Sequence, residues 1–138
     1  MAHLYPTDAA GAALMRRGLS GPVVMLNLLR FRAVADYSQT PALAPAKALT
    51  GRDAFDLYVA HTRPLLQASG GAIDFLGDGG PWLIGPADER WDCAMLIRQA
   101  SVAAFMAFAG DRTYLAGLGH RTAAIEDSRL LPLVQRGF

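Results

Sequence analysis

One apolar run, Val23-Val24-Met25-Leu26-Asn27-Leu28-Leu29-Arg30-Phe31, sets the terms for the whole chain. Gly21-Pro22 bounds it on one side and Arg32 on the other, so it is short for a helix and reads as a strand. A strand sends alternate side chains to opposite faces. Val23, Met25, Asn27, Leu29 and Phe31 share one face; Val24, Leu26 and Leu28 share the other, and only then come Arg30 and Arg32. Both faces are largely apolar, so both need a cover. In a chain of 138 residues the helices can cover one face, and a second subunit can cover the other. Asn27 is the only asparagine in the sequence. An amide in an apolar layer costs stability unless it is hydrogen-bonded, which makes Asn27 a candidate functional group.

The length suits a single domain spanning 1–138, with a short helical extension at about 7–18. Hydrophobic residues make up 52% of the sequence and charged residues 18%, which leaves few charges to solvate a monomer and favours a homodimer. The net charge is +1, and the arginines are scattered rather than clustered with aromatics, which argues against nucleic acid as a partner. The sole cysteine, Cys93, cannot form an intrachain disulfide. No stretch approaches the ~18 apolar residues of a membrane span, and Met1-Ala2-His3-Leu4-Tyr5-Pro6 lacks the pattern of a secretion signal. The expectation is a cytoplasmic protein without a membrane partner.

In chain order, Thr7 or Asp8 caps a short helix that Gly18 ends. Residues 33–50 carry Pro41 and Pro45 with no regular period and read as an irregular crossover or lid. Thr50 with Asp53 resembles a capping box ahead of a helix through Phe55, Tyr58, Val59, Thr62 and Leu66, with a kink or break expected at Pro64 and a stop at Gly70-Gly71. Ala72 to Leu76 reads as a strand with Ile73 and Phe75 on one face, and residues 77–81 read as a turn. Trp91 to Arg98 reads as a third strand with Trp91, Cys93, Met95 and Ile97 on one face. Ser101 caps a helix ending at Gly110, and Asp111 caps another that Gly117 and Gly119 are expected to break before a short piece at 120–126. Arg129 to Val134 is the last strand, with Pro132 at a sheet edge or bulge. This order is that of an α+β, ferredoxin-like split βαβ sandwich: an antiparallel sheet with helices on one face. A second sheet packed on the open face completes a dimeric α/β barrel.

Met25-Leu26-Asn27-Leu28-Leu29-Arg30-Phe31, Gly70-Gly71, Ser101 with Phe105, and Tyr114 seven residues before Arg121 with Asp127 behind it resemble the domain of unknown function 1330 family, over roughly residues 22–134. That family is similar to the dimeric α/β-barrel superfamily, in which two ferredoxin-like sheets pack face to face. The resemblance implies the same assembly here. Superfamily relatives include cofactor-independent monooxygenases, small-molecule isomerases and haem-binding enzymes, while the family itself has no settled reaction.

Six side chains form the candidate site: Asn27, Tyr58, Trp91 and Arg121 for substrate binding, and His120 and Tyr114 for proton handling. A pocket between sheet and helices, apolar with a few convergent polar tips, is the usual form of a ligand site. Arg121 can hold a carboxylate or enolate through paired N–H donors. His120 can move a proton near neutral pH, and Asn27 can polarise a carbonyl. The competing reading pairs Arg121 with Glu126 or Asp127, leaves Asn27 bonded to backbone and makes the aromatics core. His3, His61 and His120 lack metal-ligand spacing, so no metal is expected. No cofactor is assigned, although haem stays open because one axial histidine suffices. Cys93 reads as a small buried hydrophobe, and Gly77-Asp78-Gly79-Gly80 matches no phosphate-binding loop. The reading is a small-molecule-binding dimer, a cofactor-independent oxygenase or isomerase acting on a small carbonyl or carboxylate compound. The alternative is a non-catalytic ligand-binding or structural dimerisation module.

Overall fold

Val23–Phe31 is the first strand, β1, with the bounds its apolar run predicts. The structure, a computed structural model, describes residues 1–137. Before β1 lies helix α1, Asp8–Arg16, whose Thr7 side chain accepts from the Ala10 N–H. After it come α2 (Gly51–Ala68), β2 (Ala72–Pro81), β3 (Arg90–Gln99), α3 (Val102–Ala109), α4 (Arg112–Ala124) and β4 (Ile125–Leu133). Thr50, Ser101 and Asp111 cap α2, α3 and α4 with their side-chain oxygens, as the sequence predicts. The strands form one sheet in the order β2-β3-β1-β4, with every neighbouring pair antiparallel. Two βαβ units interleaved in that order define the ferredoxin-like fold.

The helices cover the Val23, Met25, Leu29 and Phe31 face of β1. Leu14 of α1 and Val102 of α3 pack on Val23 and Met25, while Ala54 and Phe55 of α2 and Ala124 at the end of α4 pack on Leu29, Phe31, Cys93 and Met95. The opposite face has no cover among the described residues. The strand registers place Val24, Leu26 and Leu28 there beside Ala94 and Leu96 of β3, Leu131 and Leu133 of β4, and Phe75 of β2. Phe75 and Leu131 are 55% and 54% exposed. An apolar sheet face this broad, one layer from solvent, is the feature the two-sided β1 predicts.

Several local expectations are corrected. Pro64 does not interrupt α2, because it lies on the exposed side, where water solvates the carbonyl its missing N–H leaves free. Residues 77–81 continue β2 instead of turning. A bulge between Ile73 and Phe75 sends these two residues to opposite faces, Ile73 to the core and Phe75 to the open sheet. Gly117 and Gly119 lie inside an unbroken α4. A Cβ at Gly117 would stand 2.1 Å from the His61 ring, and one at Gly119 would stand 2.5 Å from Thr40 Oγ1. These glycines admit close neighbours from α2 and from the 33–50 connection; they do not end a helix. The 33–50 segment packs on α4, with the Asp36 N–H donating to the Ala123 carbonyl (2.9 Å).

Candidate functional site

Along the helix-covered face of β1, Val23 and Met25 are buried, Leu29 and Phe31 are buried, and Asn27 between them is only partly so. The core on that face is correspondingly divided into two clusters, one on each side of Asn27. Leu130, its register partner on β4, shares this face and is 43% exposed. The helix layer is therefore open beside β4 at the middle of the sheet. The Asn27 amide donates to the Met25 carbonyl (3.2 Å).

Helix phase carries Tyr114 and Arg121 to one side of α4, since seven residues are close to two turns. The Tyr114 hydroxyl lies 2.9 Å from that of Tyr58 on α2. Burial holds the Tyr58 phenol well above its ordinary range and Tyr114 adds to the effect, while the Arg121 charge acts in the opposite sense. Tyr58 is therefore a proton donor at neutral pH and not a base.

Arg121 pairs with neither Glu126 nor Asp127. Its Nη1 donates to the Leu4 carbonyl (2.8 Å) and its Nη2 to Ser128 Oγ (3.5 Å). Among the described residues no carboxylate lies within ion-pair distance of it. The N-terminal segment that supplies Leu4 is strapped along β4. The His3 carbonyl accepts from the Ser128 N–H (3.0 Å) and Oγ (2.5 Å), and the His3 N–H donates to Asp127 (2.8 Å). The Tyr5 hydroxyl bonds to Thr122 on α4. Sequence reasoning missed His3, Leu4, Tyr5 and Ser128: nothing local marks the Leu4 carbonyl as the partner of an arginine 117 residues away, and Ser128, only seven residues from Arg121, carries no signal that sets it apart from any other strand serine.

The other candidates lie apart from this group. His120 is one residue, about 100°, round the helix from Arg121. Its Nδ1 is 2.8 Å from the Tyr37 hydroxyl of the 33–50 segment, and burial, with His61 adding, lowers its pKa. Tyr37 had no signal in the sequence beyond its place in a long connection. Trp91 leaves the face of Cys93 and Met95: the β1–β3 ladder stops at Leu29 and Cys93, and the Phe31 N–H turns to the Asp92 carboxylate (2.8 Å). The Trp91 ring then lies between two guanidinium groups, 5.6 Å from that of Arg30 and 5.1 Å from that of Arg129. Two open depressions of about 440 Å³ each lie elsewhere, and none of the six candidates lines either. Cys93 is buried and its thiol is pushed up to about 11 by that burial, as a structural cysteine requires.

Among the described residues no helix is long and apolar enough to cross a membrane, and no three His, Cys, Asp or Glu side chains are grouped as metal ligands. No family model matches the chain. No curated protein matches it either. Among solved structures, the RPA0582 protein of unknown function from Rhodopseudomonas palustris is 35% identical over 99% of each chain, with a TM-score of 0.85. The methylated form of that protein gives the same identity and TM-score over 99% of this chain and 96% of its own. A dabb family protein with a ferredoxin-like fold from Mesorhizobium loti is 12% identical, over 86% of this chain and 100% of its own, with a TM-score of 0.47. At 35% identity over nearly their whole lengths, this chain belongs to the same family as the Rhodopseudomonas palustris protein.

Proposed function

We propose that the protein is a homodimer that binds a small carbonyl or carboxylate compound at Arg121, in line with its resemblance to the domain of unknown function 1330 family. The observation that carries this is Arg121 itself. A partly buried guanidinium without a carboxylate partner keeps capacity for an anion, and it lies in the field of two hydrogen-bonded tyrosines. In this reading Arg121 binds the carboxylate or enolate oxygens, Tyr58 remains protonated and donates through Tyr114, and the Asn27 amide polarises a carbonyl at the opening beside Leu130. Tyr114 is then the proton-handling residue. His120 acts from outside this group, through Tyr37. Proton transfer of this kind supports a cofactor-independent isomerase or oxygenase; ligand recovered chemically unchanged supports a binding module instead.

Native mass spectrometry of the protein as purified tests the reading. A dimer carrying a retained small mass is expected, and Arg121→Ala is expected to lose that mass while its circular dichroism stays unchanged. Removing one charge-assisted pair weakens binding by about 2 kcal/mol, roughly thirtyfold. A ligand retained in full by a folded Arg121→Ala variant overturns the assignment.

A further inference from the structure

Where β1 ends and β3 and β4 begin, five arginines stand close to the sheet: Arg30, Arg32, Arg52, Arg90 and Arg129. Four of them have carboxylates. Arg30 faces Glu126 and Asp127, Arg52 meets Asp78 at 2.6 Å, Arg90 meets Asp92 at 3.3 Å and Arg129 meets Asp127 at 2.8 Å. Arg32 has none among the described residues. The nearest acidic influence is on Asp36, held low mainly by Ser38 and only last by the Arg32 charge, and no ion pair joins the two. The Arg32 Nε is buried and has no hydrogen-bond partner among the described residues. A buried N–H without an acceptor is a state that native structures rarely keep.

The side chain springs from a fixed stem. The Arg32 N–H donates to the Ala124 carbonyl (2.8 Å), and its carbonyl accepts from the Gly51 N–H (3.0 Å). Together with Phe31, Ala33, Val34, Arg90 and Glu126 it lines an open depression of about 440 Å³. Glu126 is drawn toward Arg30 (3.4 Å) and Arg90 toward Asp92 (3.3 Å), so among the described residues Arg32 is the charge of the lining without an ion-pair partner. Val34 is 63% exposed and gives the depression an apolar rim.

We propose that this depression is an oxyanion-binding site, distinct from the Arg121 group, for a carboxylate or phosphate monoester on a compact apolar body. The Arg32 guanidinium takes the oxyanion, and Phe31, Ala33 and Val34 contact the apolar part.

The test is a titration of the full chain with benzoate and with phenyl phosphate, followed by the arginine Nε–Hε signals in nuclear magnetic resonance, with the Arg32 signal assigned from its loss in Arg32→Lys. A saturable shift of the Arg32 signal is expected, absent with sodium chloride at equal ionic strength, and the tighter probe tells a carboxylate source from a phosphate source. In a calorimetric titration with the same probes, Arg32→Gln is expected to weaken binding by about tenfold, the effect of one charge-assisted hydrogen bond, and Arg121→Ala to leave it unchanged. An Arg32 signal that does not move, or moves equally with chloride, overturns the proposal, and this wild-type result decides even if Arg32→Gln does not fold. An Arg32 shift abolished by Arg121→Ala, or a calorimetric affinity untouched by Arg32→Gln, overturns it too. Loss of a retained ligand from Arg121→Ala is a separate result, so the two sites succeed or fail independently.

Discussion

A methyl group at position 117 has nowhere to go. It would press on the His61 ring, which cannot retreat without losing its Nε2 contact to the Thr113 carbonyl at 2.6 Å. Gly117→Ala gains about 1 kcal/mol of helix propensity, yet overpacking of this kind costs about 1–3 kcal/mol. The expected result in urea unfolding is net destabilisation, and a second change, His61→Ala, should recover part of it. A more stable single variant would show that α2 and α4 tolerate a wider spacing. At Asp127 the decisive property is charge. Burial alone would raise its pKa, but hydrogen bonds from the His3 N–H, Arg129 and the Ser128 N–H outweigh burial and hold the carboxyl below its ordinary value. A carboxyl depressed in the folded state contributes stability that is complete above the unfolded pKa, about 3.9. That contribution is lost as pH falls through the lower, folded value. Asp127→Asn should therefore be less stable than wild type at neutral pH, with the gap closing below about pH 4; a gap constant across that range would refute the linkage.

At the scale of elements, what could be read in advance depended on whether the signal was local. The bounds of β1 follow from apolar residues and flanking turn residues, and the caps at Thr50, Ser101 and Asp111 follow from one side chain each. The strand order then follows from the sequence of elements. The misread elements are those where a distant partner overrides local preference. Gly117 and Gly119 look like helix breakers until His61 and Thr40 are seen against them. The bulge after Ile73 is set by pairing with β3, which no window of sequence contains. The candidate site divides in the same way. Tyr114 and Arg121 share one side of α4 because that helix runs unbroken through Gly117 and Gly119, where a break was expected, and Tyr58 joins them through its hydroxyl contact. His120 and Trp91 went elsewhere for physical reasons: one turns with α4 toward the 33–50 segment, and the other sits where the β1–β3 ladder ends. The His3–Tyr5 strap occupies the outer edge of β4, a place where an unpaired strand would otherwise invite another chain.

For the whole molecule, the question is what covers the second face of the sheet. Leu26 lies near its centre, between Leu96 of β3 and Leu131 of β4, with Leu28 and Val24 on either side along the strand. The patch is framed by charge at both ends: Arg98 pairs with Asp74 beyond Val24 (3.0 Å), and Arg30 and Arg129 flank Trp91 beyond Leu28. An apolar centre within a polar frame is the layout of a protein interface, and the sheet of a second copy presents the matching surface. Leu26→Glu separates the proposed dimer from a stable monomer. In a monomer this carboxylate stays partly solvated and costs little, whereas between two sheets it is desolvated twice, once for each copy, at a cost of several kcal/mol. Sedimentation velocity should give a dimer for the wild-type chain and a folded monomer for Leu26→Glu, while Leu83→Glu, at a fully exposed position, should leave the dimer intact. A wild-type chain that sediments as a monomer over a wide concentration range, or a Leu26→Glu variant that remains dimeric, would remove the face-to-face assembly and leave the Arg121 group to work within one chain.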